Sequence, residues 1–222
     1  MAPGPASTWL LGRVFFRTVS TRLASLTNGS AAKARAETLG RASALYREHR
    51  GFSPDWAGRY HVAISCWVLA AYETAVSANV PPERAIGLVN DALVDSYARL
   101  FRGPLRVTLV LLRRPYPFIA RILKSRALVR ITFGRGFEMA NRADARSSTL
   151  QVNRCLYHQF FTHVGVPELT GVICHSDHAW IDVLAEKPRG VRFERPSTLG
   201  YGGERCAFLF TKVDRDSERS PS

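Results

Sequence analysis

The chain has 222 residues, of which 46% are apolar and 22% are charged, so it can bury a core and lacks the composition of a disordered protein. Its formal net charge of +13 comes mainly from arginine and favours an anionic partner, whether an acidic protein, a carboxylate or phosphate ligand, a membrane surface or nucleic acid. No apolar run reaches the roughly eighteen residues of a membrane-spanning helix, and none near the start resembles a secretory signal. We therefore expect a cytoplasmic protein whose four cysteines are thiols or metal ligands.

Residues 1–30 form a basic segment that contains no acidic residue. Three interpretations remain open for it: a helix docked on the protein body, a flexible tail, or a segment that binds a membrane surface or directs the chain to an organelle. Residues 31–146 are predicted to be a helical region. Within it, Ser53 is expected to cap a helix that Pro54 begins, and Gly103-Pro104 is expected to end the helix that Pro81-Pro82 begins.

A strongly basic stretch lies in the second half of the helical region. No aspartate or glutamate occurs from Ser96 to Phe137, whereas ten basic residues do: Arg99, Arg102, Arg106, Arg113, Arg114, Arg121, Lys124, Arg126, Arg130 and Arg135. This stretch is either a solvated helix face, a docking surface for an acidic protein or a membrane, or a funnel for an anionic substrate. Nucleic acid is not favoured, because no recognition helix or RNA-binding signature accompanies the charge.

Residues 147–213 are predicted to be a smaller α+β region, which a polar tail at 214–222 follows. The polar run 141–148 is interpreted as a linker into it. Its predicted elements are a strand at 149–153, a helix at 155–164, a helix or turn-helix at 174–184, and strands at 191–194 and 206–213 on either side of a glycine-rich turn. The whole pattern predicts an α+β fold in which the N-terminal helical region packs on a small antiparallel sheet with one or two helices.

Reactive side chains concentrate in this second region, which contains Cys155, Cys174 and Cys206. The three cysteines have three possible roles. They are structural thiols, or they are thiolate ligands of zinc or an iron–sulfur cluster with one open position, or one of them is a nucleophile that His158 or His175 activates.

Three further side chains are candidates for acid–base or binding roles. Asp177 is a helix cap, a general base or a metal ligand, and Glu168 either caps a turn or acts as an acid or base. Arg195 is the leading partner for a substrate carboxylate because its planar guanidinium can bind two oxygens, with a surface salt bridge as the alternative.

Five short motifs occur in order along this region. They are Arg154-Cys155-x-Tyr157, Gly165-x-Pro167-Glu168-Leu169, Cys174-x-x-Asp177, Arg195-x-x-Thr198-Leu199 and Gly203-x-x-Cys206-x-Phe208. Together they resemble the L-2-amino-thiazoline-4-carboxylic acid hydrolase family. The last motif continues as Cys206-Ala207-Phe208-Leu209, where the family usually has Cys-Asp-Phe-Arg, so membership is a firmer expectation than the family's own substrate.

The resemblance implies a hydrolase that opens a C–N or C–S bond of a small cyclic amidine or thiazoline-type carboxylate, in specialised metabolism. It implies catalytic roles for Cys155, His158, Glu168, Cys174, Asp177 and Cys206, and substrate-binding roles for Tyr157, Arg195 and Thr198. If a metal is present, its expected ligands are Cys155, Cys174 and Cys206. The alternatives are a zinc- or iron–sulfur-dependent enzyme on the same scaffold and a non-catalytic small-molecule-binding module, because the closing hairpin also resembles vinyl-reductase-type ligand-binding domains.

Overall fold

A computed structural model describes residues 6–53, 55–112, 115–186 and 190–213 as a helical assembly joined to one small sheet. The helices before the sheet are α1 (Ala6–Thr27), α2 (Ala31–His49), α3 (Trp56–Ser77), α4 (Pro82–Leu111), α5 (Pro115–Lys124) and α6 (Arg126–Phe133). The remaining elements are β1 (Glu138–Ala143), β2 (Ser147–Arg154), α7 (Leu156–His163), α8 (Leu169–Ser176), α9 (His178–Glu186), β3 (Val191–Ser197) and β4 (Cys206–Lys212). This architecture confirms the predicted α+β class.

The main core forms where the first four helices meet α7 and α8. Its largest fully buried side chains include Phe15 of α1, Leu93 of α4, and Phe160 and Phe161 of α7. The basic segment at the start of the chain contributes to this core, because α1 lies against α4 and Arg22 pairs with acidic side chains of that helix. Residues 6–27 are therefore a docked helix. No helix within the described ranges is both long and apolar enough to cross a bilayer.

Asp55 caps the start of α3. Its carboxylate accepts the N–H of Gly58 at 2.7 Å and also accepts the backbone N–H of Arg135, which follows α6. The prediction that Ser53 caps this helix was wrong, since the buried Ser53 hydroxyl makes no hydrogen bond to a described residue and Asp55 is the cap. Pro54 lies outside the described residues. Asp55 thereby joins the start of α3 to the turn at Gly134, whose φ of +72° and closeness to the carboxylate exclude a larger side chain.

The predicted end of a helix at Gly103-Pro104 was also wrong. α4 continues through Pro104 to Leu111. Its buried face extends beyond the proline, from Val89 and Leu93 to Leu109, and Leu109 packs under the sheet. Burial of this face on both sides of Pro104 compensates for the one backbone hydrogen bond that a proline removes.

The sheet is antiparallel throughout, with strand order β1-β2-β4-β3. The predicted linker at 141–148 was wrong, because β1 and β2 form a hairpin there whose turn is closed by the Asp144 carboxylate accepting the N–H groups of Arg146 and Ser147. Exposed residues alternate with half-buried ones along β1, as expected for a strand with one solvated face. The other face packs on α5 and α9 through side chains that include Leu123, Val183 and Phe210.

The predicted strands at 149–153, 191–194 and 206–213 are confirmed within β2, β3 and β4, and the helix at 155–164 is confirmed as α7. The segment 174–184, predicted as a helix or turn-helix, agrees with the second of these alternatives. It contains the end of α8 and most of α9, with Asp177 between them. The polar tail and two residues of the basic stretch, Arg113 and Arg114, lie outside the described residues.

Candidate functional site

Cys174 and Cys206 form a sulfur pair where α8 meets the sheet. Cys174 lies in the last turn of α8, Cys206 is the first residue of β4, and both side chains are buried. The hydrogen bond from the Cys174 thiol lowers the pKa of Cys206. The same bond and burial raise the pKa of Cys174. The pair therefore holds one proton on Cys174 and favours the thiolate at Cys206.

Two more groups stabilise a negative charge on Cys206. The backbone N–H of Leu199 donates to its sulfur at 3.3 Å, and the positive charge of Arg195 acts in the same direction. The thiolate is the nucleophilic form of cysteine, and N–H and S–H donors together with a nearby guanidinium stabilise it. Cys206 is thus the cysteine whose surroundings favour reactivity.

Cys155 belongs to the same cluster but is a different kind of group. It is the N-cap residue of α7 and packs with Val152 and Cys206. Burial raises the pKa of Cys155 to about 11, although the backbone N–H groups of His158 and Tyr157 oppose this rise. Cys155 is therefore a neutral thiol at physiological pH and contributes a small polarisable surface next to Cys206.

The structure thus brings the three predicted cysteines into one region without arranging them as a ligand set. In the part of the chain that the structure describes, no group of three or more histidine, cysteine, aspartate or glutamate side chains is placed to hold a metal ion.

Asp177 and Arg195 form an ion pair beside the sulfur pair. Nη1 of Arg195 donates to Oδ2 of Asp177 at 3.1 Å and to the backbone carbonyl of Cys174 at 2.8 Å. The indole N–H of Trp180 donates to the other carboxylate oxygen at 3.1 Å. Burial raises the pKa of Asp177, and the Trp180 and Arg195 contacts oppose that rise. Arg195 therefore fixes the end of α8, where Cys174 lies, and supplies a buried positive charge.

A buried histidine, His61, contacts the site from α3. Its Nδ1 lies 2.7 Å from the hydroxyl of Tyr157, and its Nε2 lies 3.1 Å from the carbonyl of Thr132. Burial lowers the pKa of His61 to about 4, so the ring is neutral at pH 7. A carbonyl can only accept, so Nε2 carries the proton and Nδ1 accepts the Tyr157 O–H. Tyr157 lies 96 positions from His61 in the sequence, so only the fold brings the two side chains together.

The remaining predicted residues differ in their contacts and in their exposure. Nδ1 of His158 lies 3.5 Å from the Thr170 hydroxyl, and it is the backbone N–H of His158 that acts on Cys155. Thr198 is buried, and its carbonyl accepts the N–H groups of Tyr201 and Gly203. Glu168 is exposed at the start of α8 and makes no side-chain cap bond there.

The glycine-rich turn lies directly on α8. A Cβ atom at Gly200 would meet Sγ of Cys174 at 2.8 Å and the backbone nitrogen of Gly171 at 3.1 Å. No real side chain fits at the first of these distances, so glycine is required for the turn to pass this close to the sulfur pair.

An open groove shares a wall with the cysteine cluster. Its volume is about 660 Å³, and it lies between α6 and the first two strands. Phe137 and Met139 line the groove and also pack against the cluster of Val152, Cys155 and Cys206. Arg130 and Arg135, both exposed, add positive charge to the groove. It can accept a small molecule that has an apolar part and a negative charge.

Three comparisons place the chain among known proteins. A search of curated protein sequences gave no significant match. Among solved structures, the chain is similar to the Fe(II) unliganded H-NOX protein mutant from K. algicida, with 9% identity, coverage of 91% of this chain and 98% of that one, and a TM-score of 0.32. That score is too low to carry an argument about function.

The family profile described as L-2-amino-thiazoline-4-carboxylic acid hydrolase matches residues 59–210, which span α3 to β4 and include every side chain of the site described above. The chain belongs to the L-2-amino-thiazoline-4-carboxylic acid hydrolase family.

Proposed function

We propose that this protein is a hydrolase that opens the C–S or C–N bond of a small cyclic amidine or thiazoline-type carboxylate, with Cys206 as the nucleophile. The observation that carries the proposal is the asymmetric sulfur pair, in which Cys174 keeps a proton and Cys206 is favoured as a thiolate. Family membership supports the hydrolase class. A poised thiolate is what attack on an amidine carbon requires.

The first step forms a bond from Cys206 to the ring carbon that lies between sulfur and nitrogen. The C–S bond of the ring then breaks, the ring sulfur leaves with its electron pair, and the Cys174 thiol protonates it. Formation of the covalent bond consumes the negative charge on Cys206, and this removes the hydrogen bond that raises the pKa of Cys174. Cys174 therefore becomes a stronger acid at the point where a proton is needed.

The second step releases the product. Water attacks the same carbon of the S-linked amidine, one of its protons returns to Cys174, and Cys206 leaves as a thiolate. The product is a urea with a free thiol, and the sum of the two steps is addition of one water. Arg195 stabilises the Cys206 thiolate at the start and end of the cycle and attracts the substrate carboxylate, while Tyr157 and Thr198 help to bind the substrate.

The test measures release of free thiol from L-2-amino-thiazoline-4-carboxylate by the purified protein. We expect turnover in the wild type, loss of at least about a hundredfold in Cys206→Ser, and a covalent adduct at Cys206 in intact-protein mass spectra of the quenched reaction. Cys66→Ala is the matched control, because Cys66 is a free cysteine buried in the helical core away from the sheet. Full activity in Cys206→Ser would overturn the nucleophile assignment.

A non-catalytic binding module is the second candidate. The observation in its favour is that all three cysteines are buried, whereas the groove beside them is open. Calorimetric titration of the thiazoline carboxylate separates the candidates. Binding that Arg135→Gln weakens, with no thiol released after long incubation, would support the binding module and exclude the hydrolase on this substrate.

A further inference from the structure

We propose that the outer faces of α4, α5 and α6 bind peripherally to an anionic lipid surface. The structure exposes fourteen large apolar side chains among its described residues, and seven of them lie in the 25 residues from 107 to 131. These seven define the α4–α6 surface: Val107, Val110 and Leu111 on α4, Phe118 and Ile122 on α5, and Leu128 and Ile131 on α6. Leu111 and Ile131 are 76% and 67% exposed. Such a concentration of exposed apolar side chains marks an interaction site.

The core does not need these side chains. In α4, Leu105 and Leu109 face inward and pack in the cluster under the sheet, while Val107, Val110 and Leu111 recur at helical spacing on another face. In α5, Tyr116, Ala120 and Leu123 are buried in the same cluster, and Phe118 and Ile122, one turn apart, face outward. Helices α4 and α5 therefore each present one apolar face to the protein and a second one to the outside.

The charged side chains that these helices carry between Ser96 and Phe137 are all basic. Arg106, Arg121, Lys124 and Arg130 are exposed on the same three helices, and the sequence contains no acidic residue from Ser96 to Phe137. Exposed aliphatic and aromatic side chains interspersed with arginine and lysine are the composition of helices that lie in the interface of a bilayer. The apolar groups enter the region below the headgroups, and the basic groups meet anionic phosphates.

Two other occupants fit the surface less well. A second copy of this chain, which has a net charge of +13, would bring the same basic residues together, and their repulsion opposes association. An acidic protein would match the charge but would need a rigid surface complementary to seven separate apolar side chains. A bilayer accepts such side chains at any spacing because lipids rearrange around them.

The experiment is co-sedimentation of the full chain with vesicles of phosphatidylcholine alone or with about one third phosphatidylserine. We expect binding to the phosphatidylserine vesicles that weakens as salt is raised. Binding should fall at least about tenfold in the double variant Leu111→Asp, Ile131→Asp, since charged groups do not enter the apolar region. Leu39→Asp is the matched control, because Leu39 is an exposed leucine on α2, outside the surface.

Thermal unfolding of each variant, followed by circular dichroism, verifies that the fold is retained. Equal binding to both vesicle types, no binding to either, or binding that persists in the folded double variant would each overturn the proposal. A wild-type dimer that the double variant converts to a monomer, with no vesicle binding, would assign the surface to contacts between copies. Loss of binding in the double variant and its retention in Leu39→Asp would support the proposal.

Discussion

The sulfurs of Cys174 and Cys206 interact where the end of α8 meets the start of β4, and this interaction lowers the pKa of Cys206 and raises the pKa of Cys174. Both residues are cysteines, but the fold gives them different surroundings, because only the sulfur of Cys206 also accepts the backbone N–H of Leu199. The interaction therefore leaves the proton on Cys174 and favours the thiolate at Cys206.

The asymmetry predicts distinct alkylation profiles. Because hydrogen bonding lowers the pKa of Cys206 and burial raises the pKa of Cys155 to about 11, iodoacetamide should label Cys206 at lower pH than Cys155. In Cys174→Ala the donor is lost and the labelling midpoint of Cys206 should rise. Peptide mass spectrometry across a pH series measures both midpoints. An unchanged Cys206 midpoint in Cys174→Ala would show that the hydrogen bond does not control its charge.

The buried His61 predicts loss of stability in mild acid. Its pKa is about 4 in the folded chain and 6.5 in the unfolded chain, so between these pH values the proton binds mainly to the unfolded chain. The free energy of unfolding should be unaffected above pH 6.5 and fall as pH drops towards 4, by at most about 3 kcal/mol. Urea denaturation at pH 7.5 and 5.0 measures this difference. His61→Gln should reduce it, and an equal difference in the variant would assign the pH dependence to other groups.

The contacts of Arg195 predict that its substitution by lysine lowers the free energy of unfolding more than the same substitution of an exposed arginine. A lysine at position 195 lacks the planar guanidinium that contacts both Asp177 and the carbonyl of Cys174. We therefore expect Arg195→Lys to lower the free energy of unfolding by about 1–3 kcal/mol and to reduce thiol release. Arg22→Lys is the control, since Arg22 also contacts two carboxylates but is 36% exposed, and it should cost less than about 1 kcal/mol. Equal losses in the two variants would contradict a special role for the contacts of Arg195, whose side chain is only 10% exposed.

The close approach of Gly200 to Cys174 predicts that a side chain at position 200 would displace the turn from the sulfur pair. Gly200→Ala places a methyl group against Cys174, so the turn must move and both stability and thiol release should fall. At Gly87, inside α4, a methyl group meets nothing within 4 Å, and Gly87→Ala should raise the unfolding free energy by up to about 1 kcal/mol. Denaturant titration and the thiol assay compare the two. An unaffected Gly200→Ala protein would show that the turn tolerates displacement.

Several features of the fold were predictable from short stretches of sequence. Helix α7 and strands β2 and β4 follow apolar patterns whose periods depend on nearby residues alone. The helix through Pro104 and the hairpin at 138–154 were not predictable in this way, because burial against distant elements outweighs the local preference of a proline or a polar run.

The sequence by itself determined the family, the α+β class and the region in which the reactive residues lie, since each depends on residue types in a fixed order along the chain. Only the tertiary structure decided that Cys206 is the favoured thiolate, that Tyr157 donates to His61 and that Arg195 holds Asp177. The physical reason is that hydrogen bonds and burial set the charge of a side chain, and both come from residues that are distant in sequence and meet only after folding.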